Sequence, residues 1–417
     1  MLTPCEDGRV KVLFVNKFFY ERGGAVAVFF DTARLIESFG HKAILFAMSH
    51  PQNLRSPYSR YFVSNVDFDE PGPLFERIKA AGRILYSLEA KRKIDALLKN
   101  ERPHIVHLHN IYHQISPSIL HTIKAHGLPI VMTLHDYKMV CPTYNMLTNG
   151  KPCERCRRGR FYWCLIKRCN RRSLLRSAVN VLEMYLHHRI LHIYDLVDVF
   201  ISPSLFLKEK VQEMGFEGEI HYLPNFIEPG KFLPCYDYGE KSLVYFGRLS
   251  PEKGLFTLLE AVGGLDMKLK IIGDGPLRKD LEMLVSQKGL DNVSFLGYKG
   301  GEELKGEIQK AVAVVLPSRW YENSPRSIIE AFALGKPVIG SRIGGIPELV
   351  RDGETGLTFE PGNAQDLRAK IKEILTNPDR VVEMGKKARG FVEEELNAQK
   401  HYKALMEIYN RAMSHRA

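Results

Sequence analysis

Two glutamates, Glu322 and Glu330, stand eight positions apart in the stretch RWYENSPRSIIEAFALG. Ser324 followed by Pro325 is a good N-cap and first-turn pair, which predicts a helix from there to Gly335. The start of a helix offers free amides and the positive end of its dipole to an anion. With a rise of about 1.5 Å per residue, the second acid lies roughly 7 to 9 Å along that helix. Because carboxylates accept hydroxyl hydrogen bonds, the pair predicts a site where two polyols flank a bound diphosphate.

A simpler interpretation of the same two acids needs no ligand. Glu322 would be a loop acid, and Glu330 would reach solvent or pair with Arg326 one turn earlier. Most acidic residues on helices only lie on the solvent-exposed face of the helix. The neighbouring motifs therefore decide between the two interpretations.

Two cations follow the first strand that is predicted in the second half of the chain. Arg248 and Lys253 lie five positions apart in YFGRLSPEKG. Cations held after a strand that faces a cleft can neutralise the negative charge that develops on a departing diphosphate. Arginine and lysine on a turn are usually just solvated, but together with the two glutamates they favour a diphosphate site.

Glycines follow predicted strands in both halves of the chain. Gly23 and Gly24 lie in NKFFYERGGA, and Gly273 and Gly275 lie in IIGDGP, where a bare backbone can approach a ligand or simply form a turn. Tyr298, in LGY, follows the next strand and is placed to line a base pocket. The first motif is not GxGxxG, and no acid ends the second strand, so a dinucleotide site is poorly supported.

Histidines and polar residues end two strands of the first half. The segment TLHDY carries His135 and Asp136, and HLHN carries His109 and Asn110. A histidine at a strand end is structural about as often as it is functional. We assign these four residues to the acceptor side of a cleft only because the donor side has already been argued.

Short apolar runs alternate with helical patterns along the chain, in two successive series. Continuous apolar strands separated by helices predict parallel sheets that are covered on both faces. We therefore predict an α/β protein with two facing, doubly wound, Rossmann-like domains at residues 1–222 and 242–397, joined by a linker at 223–241 and followed by a helix at 398–417. Ligands of such sheets bind beyond the carboxyl ends of the strands, so the site is predicted in the cleft between the domains.

The bulk properties agree with a two-domain protein that binds an anionic partner. The chain has 417 residues, 45% of them hydrophobic, and a formal net charge of +11. The start of the chain runs directly into a strand pattern without the features of a signal peptide, and no apolar run is long enough to span a bilayer. We expect a cytoplasmic protein, in a compartment that keeps its seven cysteines reduced.

An insertion at residues 141–176 carries four closely spaced cysteines, Cys153, Cys156, Cys164 and Cys169. Four thiols at short spacing are suited to a structural zinc ion, although only the first pair has the CxxC spacing. The alternative is four reduced cysteines in a loop.

The same insertion is strongly basic. It has nine lysines or arginines and no acid between Arg155 and Arg176, and an amphipathic pattern follows. A basic loop before such a helix is suited to anionic lipid or to a lipid-diphosphate acceptor. Alternatively, the cations only offset the charge of a thiolate cluster.

Several motifs together resemble one known family. They are ERGGA, TLHD, GRLSPEKG, GDGP and, above all, ENSPRSIIEAFALGKPVIGSRIGGIPELV with its Glu, seven residues, Glu spacing. Over nearly its whole length the chain resembles the retaining glycosyltransferases of the GT-B fold, in the large bacterial group called glycosyl transferases group 1. The resemblance implies an acceptor-side first domain, a second domain that binds the nucleotide sugar, and a final helix that crosses back to the first domain.

The resemblance also implies roles on the donor side. Arg248 and Lys253 would hold the donor diphosphate, and backbone amides around Asn323 and Ser324 would bind phosphate. Gly24 would approach from the first domain.

Further roles concern the two polyols and the reaction. Glu322 would contact the donor sugar, Glu330 the ribose, and His135 would lie near the transferred sugar. The implied reaction moves a hexose-type sugar, with retention, from a UDP or GDP sugar to a glycan or lipid-linked acceptor in polysaccharide or cell-envelope biosynthesis. We expect a front-face mechanism without a catalytic metal, since no pair of carboxylates that would flank the anomeric carbon, as in retaining glycosidases, is evident in the sequence.

Two other classes fit part of the sequence. A sugar-nucleotide epimerase would use a similar α/β cleft, but the dinucleotide loop is missing. A basic nucleic-acid-binding protein would use the positive charge, but the chain has no module of that kind, so we expect no nucleic-acid partner.

Overall fold

The computed structural model describes residues 8–66 and 74–414. Residues 1–7, which entered the prediction that no signal peptide is present, lie outside this range. So do residues 415–417 of the predicted C-terminal helix.

The first half of the chain forms a parallel sheet and a small hairpin. Its strands are β1 Lys11–Val15, β2 Lys42–Phe46, β3 Ile105–Leu108, β4 Ile130–Thr133, β5 Leu147–Thr148, β6 Lys151–Pro152, β7 Val199–Ser202 and β8 Ile220–Tyr222. The sheet has the order β2-β1-β3-β4-β7-β8, and every pair in it is parallel. The short strands β5 and β6 pair with each other in antiparallel orientation.

Helices connect these strands and cover both faces of the sheet. They are α1 Gly24–Ser38, α2 Leu74–Leu85, α3 Leu88–Glu101, α4 Ile119–Ala125, α5 Tyr162–Ile166, α6 Leu174–Tyr185 and α7 Leu205–Glu213. Successive residues of β1 enter opposite layers of the core, with Leu13 on one side and Phe14 on the other. Apolar residues on both faces of the sheet are therefore buried, as expected for a doubly wound sheet.

The second half of the chain repeats this plan. Its strands are β9 Ser242–Phe246, β10 Lys268–Ile272, β11 Val293–Gly297, β12 Ala313–Leu316, β13 Val338–Ser341 and β14 Gly356–Phe359, in the parallel order β11-β10-β9-β12-β13-β14. The direction of winding reverses between β9 and β12. In open α/β sheets, ligands bind at this reversal point, beyond the carboxyl ends of the two strands.

The helices of the second half are α8 Leu255–Val262, α9 Arg278–Lys288, α10 Gly301–Lys310, α11 Arg326–Ala333, α12 Ile346–Leu349, α13 Ala364–Thr376, α14 Pro378–Glu395 and α15 Ala398–Ser414. The last helix returns to the first half of the chain, where Leu405, Ile408 and Tyr409 are buried with residues of α1 and β1. Its apolar stripe is thereby covered. The two six-stranded parallel sheets with helices confirm the predicted fold class.

The segments between these units carry little regular structure. Residues 223–241, predicted as the linker, contain a short 3₁₀ turn at Pro229–Lys231 and a single β-bridge from Ile227 to Asn397. The insertion at 141–176 contains the β5–β6 hairpin and α5, and it packs on the first sheet through Cys156, Phe161 and Cys164. Within the described ranges, no helix combines the length and apolar character needed to cross a bilayer.

Candidate functional site

A cleft of about 1030 Å³ lies where the carboxyl ends of the two sheets face each other. Both halves of the chain contribute to its walls. The predicted site residues that line it are Gly23, Gly24, His135, Asp136, Arg248, Lys253, Gly273, Tyr298, Glu322, Asn323, Ser324 and Glu330. Three predicted residues do not line it, namely His109, Asn110 and Gly275.

Lys253 and Glu322 form a buried ion pair at the reversal point of the second sheet. The lysine Nζ lies 2.6 Å from a carboxylate oxygen of Glu322, which is only 5% exposed and also accepts a hydrogen bond from the hydroxyl of Ser318 at 2.5 Å. Burial alone would raise the pKa of Glu322, but Lys253 and Ser318 outweigh it and hold the pKa below its ordinary value. The carboxylate is therefore ionised and fixed in orientation at neutral pH.

A close backbone approach brings Lys253 to this position. Lys253 ends a 3₁₀ turn after β9, and Gly254 follows it with φ 70°. A Cβ on Gly254 would overlap the carbonyl oxygen of Pro317, which lies after β12. Only glycine allows the two loops to touch here, so the sequence KG is what places the lysine beside Glu322.

Arg248 is the second cation of the cleft. It is exposed and lines the cleft, and its backbone carbonyl accepts a hydrogen bond from the hydroxyl of Tyr245 at 2.8 Å. Its guanidinium has no ion pair to a carboxylate among the residues that the structure describes. The group is thus available for an anionic ligand, whereas Lys253 already has a partner.

The entry to α11 differs by one residue from the prediction. The helix begins at Arg326, because Pro325 has an extended ψ of 113° and takes the N-cap position. The hydroxyl of Ser324 does not cap the helix; it is buried without a hydrogen-bond partner in the described part of the chain. Asn323 instead ties this loop to the first domain, accepting from the Ser204 hydroxyl at 2.7 Å and donating to a carbonyl after β4 at 3.1 Å.

Glu330 lines the cleft but is also paired with Arg326, as the simpler interpretation of the sequence proposed. The guanidinium donates to Glu330 at 2.7 Å and to Asp31 of α1 at 2.5 Å. Burial would lower the pKa of Arg326, but the two carboxylates raise it. Sequence reasoning missed Asp31, because nothing in the local pattern of α1 shows that it meets a helix of the other domain.

The glycines of the loop after β10 serve loop packing. A Cβ on Gly273 would overlap the carbonyl oxygen of Gly247, and one on Gly275 would overlap that of Leu249. Both glycines let this loop rest on the backbone that carries Arg248. Gly275 therefore positions the loop without lining the cleft, whereas Gly273 also lines the cleft.

The strand-end histidines form a connected row that reaches into the first domain. His135 hydrogen-bonds His109 at 2.8 Å, His109 stacks on His107 with ring centroids 4.5 Å apart, and His107 contacts the hydroxyl of Tyr409 at 2.7 Å. Burial lowers the pKa of His135 to about 4 and that of His107 to about 3, so both rings are neutral at pH 7.

This row corrects the predicted placement of two residues. His109 is 1% exposed and lies beneath His135, so it does not reach the edge of the cleft. Asn110 also lies behind the wall, with its backbone carbonyl accepting from the amide of Lys17 at 2.8 Å. Both follow β3, and the neighbouring segment after β4 covers them. From the segment after β4, His135 and Asp136 line the cleft together with Tyr137.

Asp136 has an unusual environment for a carboxylate. Burial raises its pKa to about 6, although the backbone amide of Lys138 donates to it at 3.0 Å and the charge of Lys17 opposes the shift. Burial also lowers the pKa of Lys17 to about 8. A carboxyl group that titrates near neutral pH in a cleft is a candidate for proton exchange with a bound hydroxyl.

The thiols of the insertion lie near one another, and those of Cys164 and Cys169 are hydrogen-bonded to each other. Cys156 and Cys164 are buried in the core, and Cys169 contacts the hydroxyl of Thr148 at 3.3 Å. In the described ranges, no three His, Cys, Asp or Glu side chains are grouped so that they could hold a metal. Zinc on Cys153 and its three neighbours thus stays a prediction from spacing alone, which metal analysis of the purified protein tests.

Two family descriptions match the chain. The one called Glycosyltransferase Family 4 covers residues 22–231, and the one called Glycosyl transferases group 1 covers residues 237–391. The boundary between the two matches falls in the segment that joins the two sheets.

Curated relatives agree over part of their length. An uncharacterized glycosyltransferase of Methanocaldococcus jannaschii is 35% identical over 156 residues, which make up 37% of this chain and 43% of the relative. A 42.6 kDa protein from the cps region of Klebsiella pneumoniae is 27% identical over 270 residues, or 64% of this chain and 65% of the relative. The chain thus spans less than two thirds of the length of these relatives.

Solved structures share the whole fold. Sucrose-phosphate synthase of Thermosynechococcus elongatus superposes with a TM-score of 0.72 at 20% identity, covering 97% of this chain and 100% of that one. HepE of Anabaena, solved in complex with UDP and glucose, gives 0.67 at 16% identity, covering 96% of this chain and 100% of that one. The Glycosyltransferase Family 4 match spans half of the chain, and the Glycosyl transferases group 1 match covers most of the remainder. The chain therefore belongs to the group 1 glycosyltransferases of the GT-B fold.

Proposed function

We propose that this protein is a retaining glycosyltransferase that moves a hexose-type sugar from a UDP or GDP sugar to a glycan or lipid-linked acceptor in polysaccharide or cell-envelope biosynthesis. It would act in the cytoplasm, at the inner face of the cytoplasmic membrane. A related structure holds UDP and glucose, and a relative of Mycobacterium tuberculosis is named as GDP-mannose-dependent. These titles support the two donor classes without choosing between them.

One observation carries the proposal. Lys253, Glu322 and Arg248 converge where the loops after β9 and β12 meet, at the reversal point of the second sheet. The ionised Glu322 can accept hydroxyl hydrogen bonds from a sugar, and the two cations can bind the adjacent diphosphate. An epimerase would not need a pair of cations beside the leaving phosphate.

The same groups supply the chemistry that transfer requires. As the bond from the anomeric carbon to the donor phosphate breaks, negative charge grows on the phosphate oxygen, and Arg248 and Lys253 stabilise it. In the front-face mechanism, that oxygen takes the proton of the acceptor hydroxyl, which attacks the same face of the oxocarbenium-like sugar. His135, neutral at pH 7, can hydrogen-bond the sugar without adding charge repulsion to the cation.

The proposal is tested with Lys253→Ala and Arg248→Ala. Each variant should lower the rate of transfer by about a hundredfold or more, because a charge stabiliser of the transition state is lost. Release of nucleoside diphosphate from a panel of UDP and GDP sugars, with and without acceptor, is the measurement, and NMR of the product gives the anomeric configuration.

The matched control is Arg342→Ala, which removes an exposed arginine of the same domain outside the cleft. Its turnover and melting temperature should match those of the unmodified protein. Near-normal turnover in both cleft variants would remove the assignment. Conversion of the donor sugar without any acceptor would instead support the epimerase.

A further inference from the structure

The loop between α5 and α6 combines exposed apolar and cationic side chains in one short segment. The docking loop, residues 166–175, has the sequence IKRCNRRSLL. Its apolar ends are strongly exposed, with Ile166 at 59%, Leu174 at 55% and Leu175 at 74%. Single exposed leucines are common on protein surfaces, but three large aliphatic side chains flanking a run of cations are not explained by the fold.

The cations of the docking loop face solvent. Lys167, Arg168 and Arg172 are exposed, and none of them has an ion pair with a carboxylate of the described residues. There is no acid anywhere from Arg155 to Arg176. The exposed cations of this segment therefore favour an anionic partner.

The exposure is built into the fold rather than caused by fraying. Cys169 hydrogen-bonds the Cys164 carbonyl through its amide at 3.0 Å, and the amide of Asn170 donates to the hydroxyl of Ser177 at 3.1 Å. The hydroxyl of Ser173 caps α6. Arg168 and Arg172 have φ values of 47° and 57°, a left-handed backbone that glycine or asparagine would adopt at lower cost. The chain thus holds arginines outward at strained positions.

The apolar surface continues along α6. Leu182 lies two helical turns after Leu175 and on the same face, and it is 53% exposed. A helix with aliphatic residues on its open face, preceded by a cationic loop, is the pattern of a segment that lies in the interface of a bilayer. Anionic headgroups would pair with the cations while the aliphatic side chains enter the acyl boundary.

We propose that the docking loop and the outer face of α6 attach this protein to a bilayer that contains anionic lipid. The attachment would orient the acceptor side of the cleft toward the membrane. Glu183 of α6 pairs with Lys138 at 2.7 Å, both fully buried, and Lys138 lies just after His135 and Asp136. The membrane-facing helix is therefore anchored to the segment that forms the acceptor wall. Only this orientation rests on the proposed function; attachment itself does not.

The test measures sedimentation with vesicles of phosphatidylcholine in which one third of the lipid is phosphatidylglycerol, with pure phosphatidylcholine vesicles beside them. Leu174→Ser with Leu175→Ser should weaken binding at least about tenfold, since two buried side chains are lost. Arg168→Gln with Arg172→Gln should weaken it about 25-fold, at roughly fivefold for each cation near the surface. Added salt should weaken binding of the unmodified protein.

Matched controls come from the linker and from the second domain. Leu233→Ser removes a leucine that is 76% exposed, and Lys279→Gln with Lys288→Gln removes two exposed cations of α9. Both should bind vesicles as the unmodified protein does, and all variants should keep their melting temperature and their thermal shift with UDP or GDP.

Binding that ignores phosphatidylglycerol, or that survives both loop variants, would overturn the proposal. The proposal would also be overturned if the protein did not bind vesicles but bound RNA or an acidic protein through the same loop. Because the assay contains no donor or acceptor, such a failure would leave the proposed transferase activity untouched.

Discussion

His135 reaches the cleft with one ring nitrogen already engaged. Its Nε2 meets Nδ1 of His109, while Nε2 of His109 is buried and has no partner within the described residues. An unpaired buried N–H costs more than an unpaired acceptor, so we assign the proton of His109 to Nδ1. His109 then donates, His135 accepts through Nε2, and the remaining proton of His135 sits on Nδ1. In the proposed reaction, His109 would thus be a positioning residue, which presents His135 as a hydrogen-bond donor to the sugar.

This assignment predicts the effect of His109→Phe. Phenylalanine keeps a ring against Phe14 and Phe29 but cannot donate to His135. We expect kcat to fall about tenfold with little change in the donor KM, because the orientation of His135 is lost and not the binding of nucleotide. Nitrogen-15 NMR should show the Nδ1–H form of His135 in the unmodified protein and a mixture of tautomers in the variant.

His107→Phe is the control for this experiment. This variant removes the contact with Tyr409 and leaves the hydrogen bond between His109 and His135 in place. If His107→Phe changes the tautomer of His135 as much as His109→Phe does, the row of histidines acts only through packing. An Nε2–H form of His135 in the unmodified protein would contradict the assignment directly.

Among the elements, the loops after β9 and β12 place the donor-side residues, and their glycines decide how closely the loops approach. Gly254 has φ 70° and no room for a Cβ beside Pro317. We predict that Gly254→Ala pushes the two loops apart, moves Lys253 away from Glu322, and lowers transfer by about as much as loss of the lysine itself. The stability loss should exceed the roughly 1–2 kcal/mol that a left-handed backbone costs an ordinary residue.

Gly264→Ala separates backbone strain from the clash. Gly264 has φ 67°, but a Cβ there would meet nothing within 4 Å. Thermal unfolding of the two variants should therefore differ by the cost of the clash, and only Gly254→Ala should lose activity. Equal destabilisation with activity retained in both would show that the loop contact does not position Lys253.

The sequence predicts most of this architecture, but it predicts the spatial neighbours of each residue only in part. Strands and helices follow from apolar runs and their spacing, so both sheets and the strand-end position of Arg248, Lys253 and His135 could be predicted. The sequence predicts the start of α11 one residue too early, since Ser-Pro is compatible with two entries to a helix. The depth of His109 depends on which neighbouring segment covers a strand end, which local pattern does not reveal.

Over the whole molecule, the two domains are joined by polar contacts at the cleft as well as by the returning helix α15. Asp31 meets Arg326, and Glu154 accepts from the hydroxyl of Tyr321 at 2.8 Å. These contacts pair residues that are far apart in the chain, which is why motif reading found neither Asp31 nor Glu154. The proposed donor site depends on these contacts, because a donor that contacts both walls would bind only where the walls lie close together.

The most specific of these contacts is a helix cap supplied by the opposite domain. The carboxylate of Glu348, on α12, accepts from the amides of Leu205 at 2.9 Å and Phe206 at 2.6 Å, the first two residues of α7. The next amide of α7, that of Leu207, donates to the Ser204 hydroxyl at 3.1 Å. The start of α7 is therefore fully satisfied only when the two domains are together. A negative charge at this end of the helix also interacts favourably with its dipole.

We predict that Glu348→Gln weakens domain closure without touching the cleft. The glutamine keeps the size of the side chain but loses its charge and one acceptor oxygen, a change of about 1–2 kcal/mol in the closed state. The closing equilibrium should shift by roughly five- to thirtyfold, raising the donor KM by a similar factor, since the donor needs both walls. UDP or GDP alone, held by the second domain, should bind almost as before, and small-angle scattering should show a larger radius of gyration. Glu354→Gln, at an exposed acid of the same domain, is the control and should change neither quantity. Identical donor KM and scattering in the two variants would mean that the cap has no part in closure.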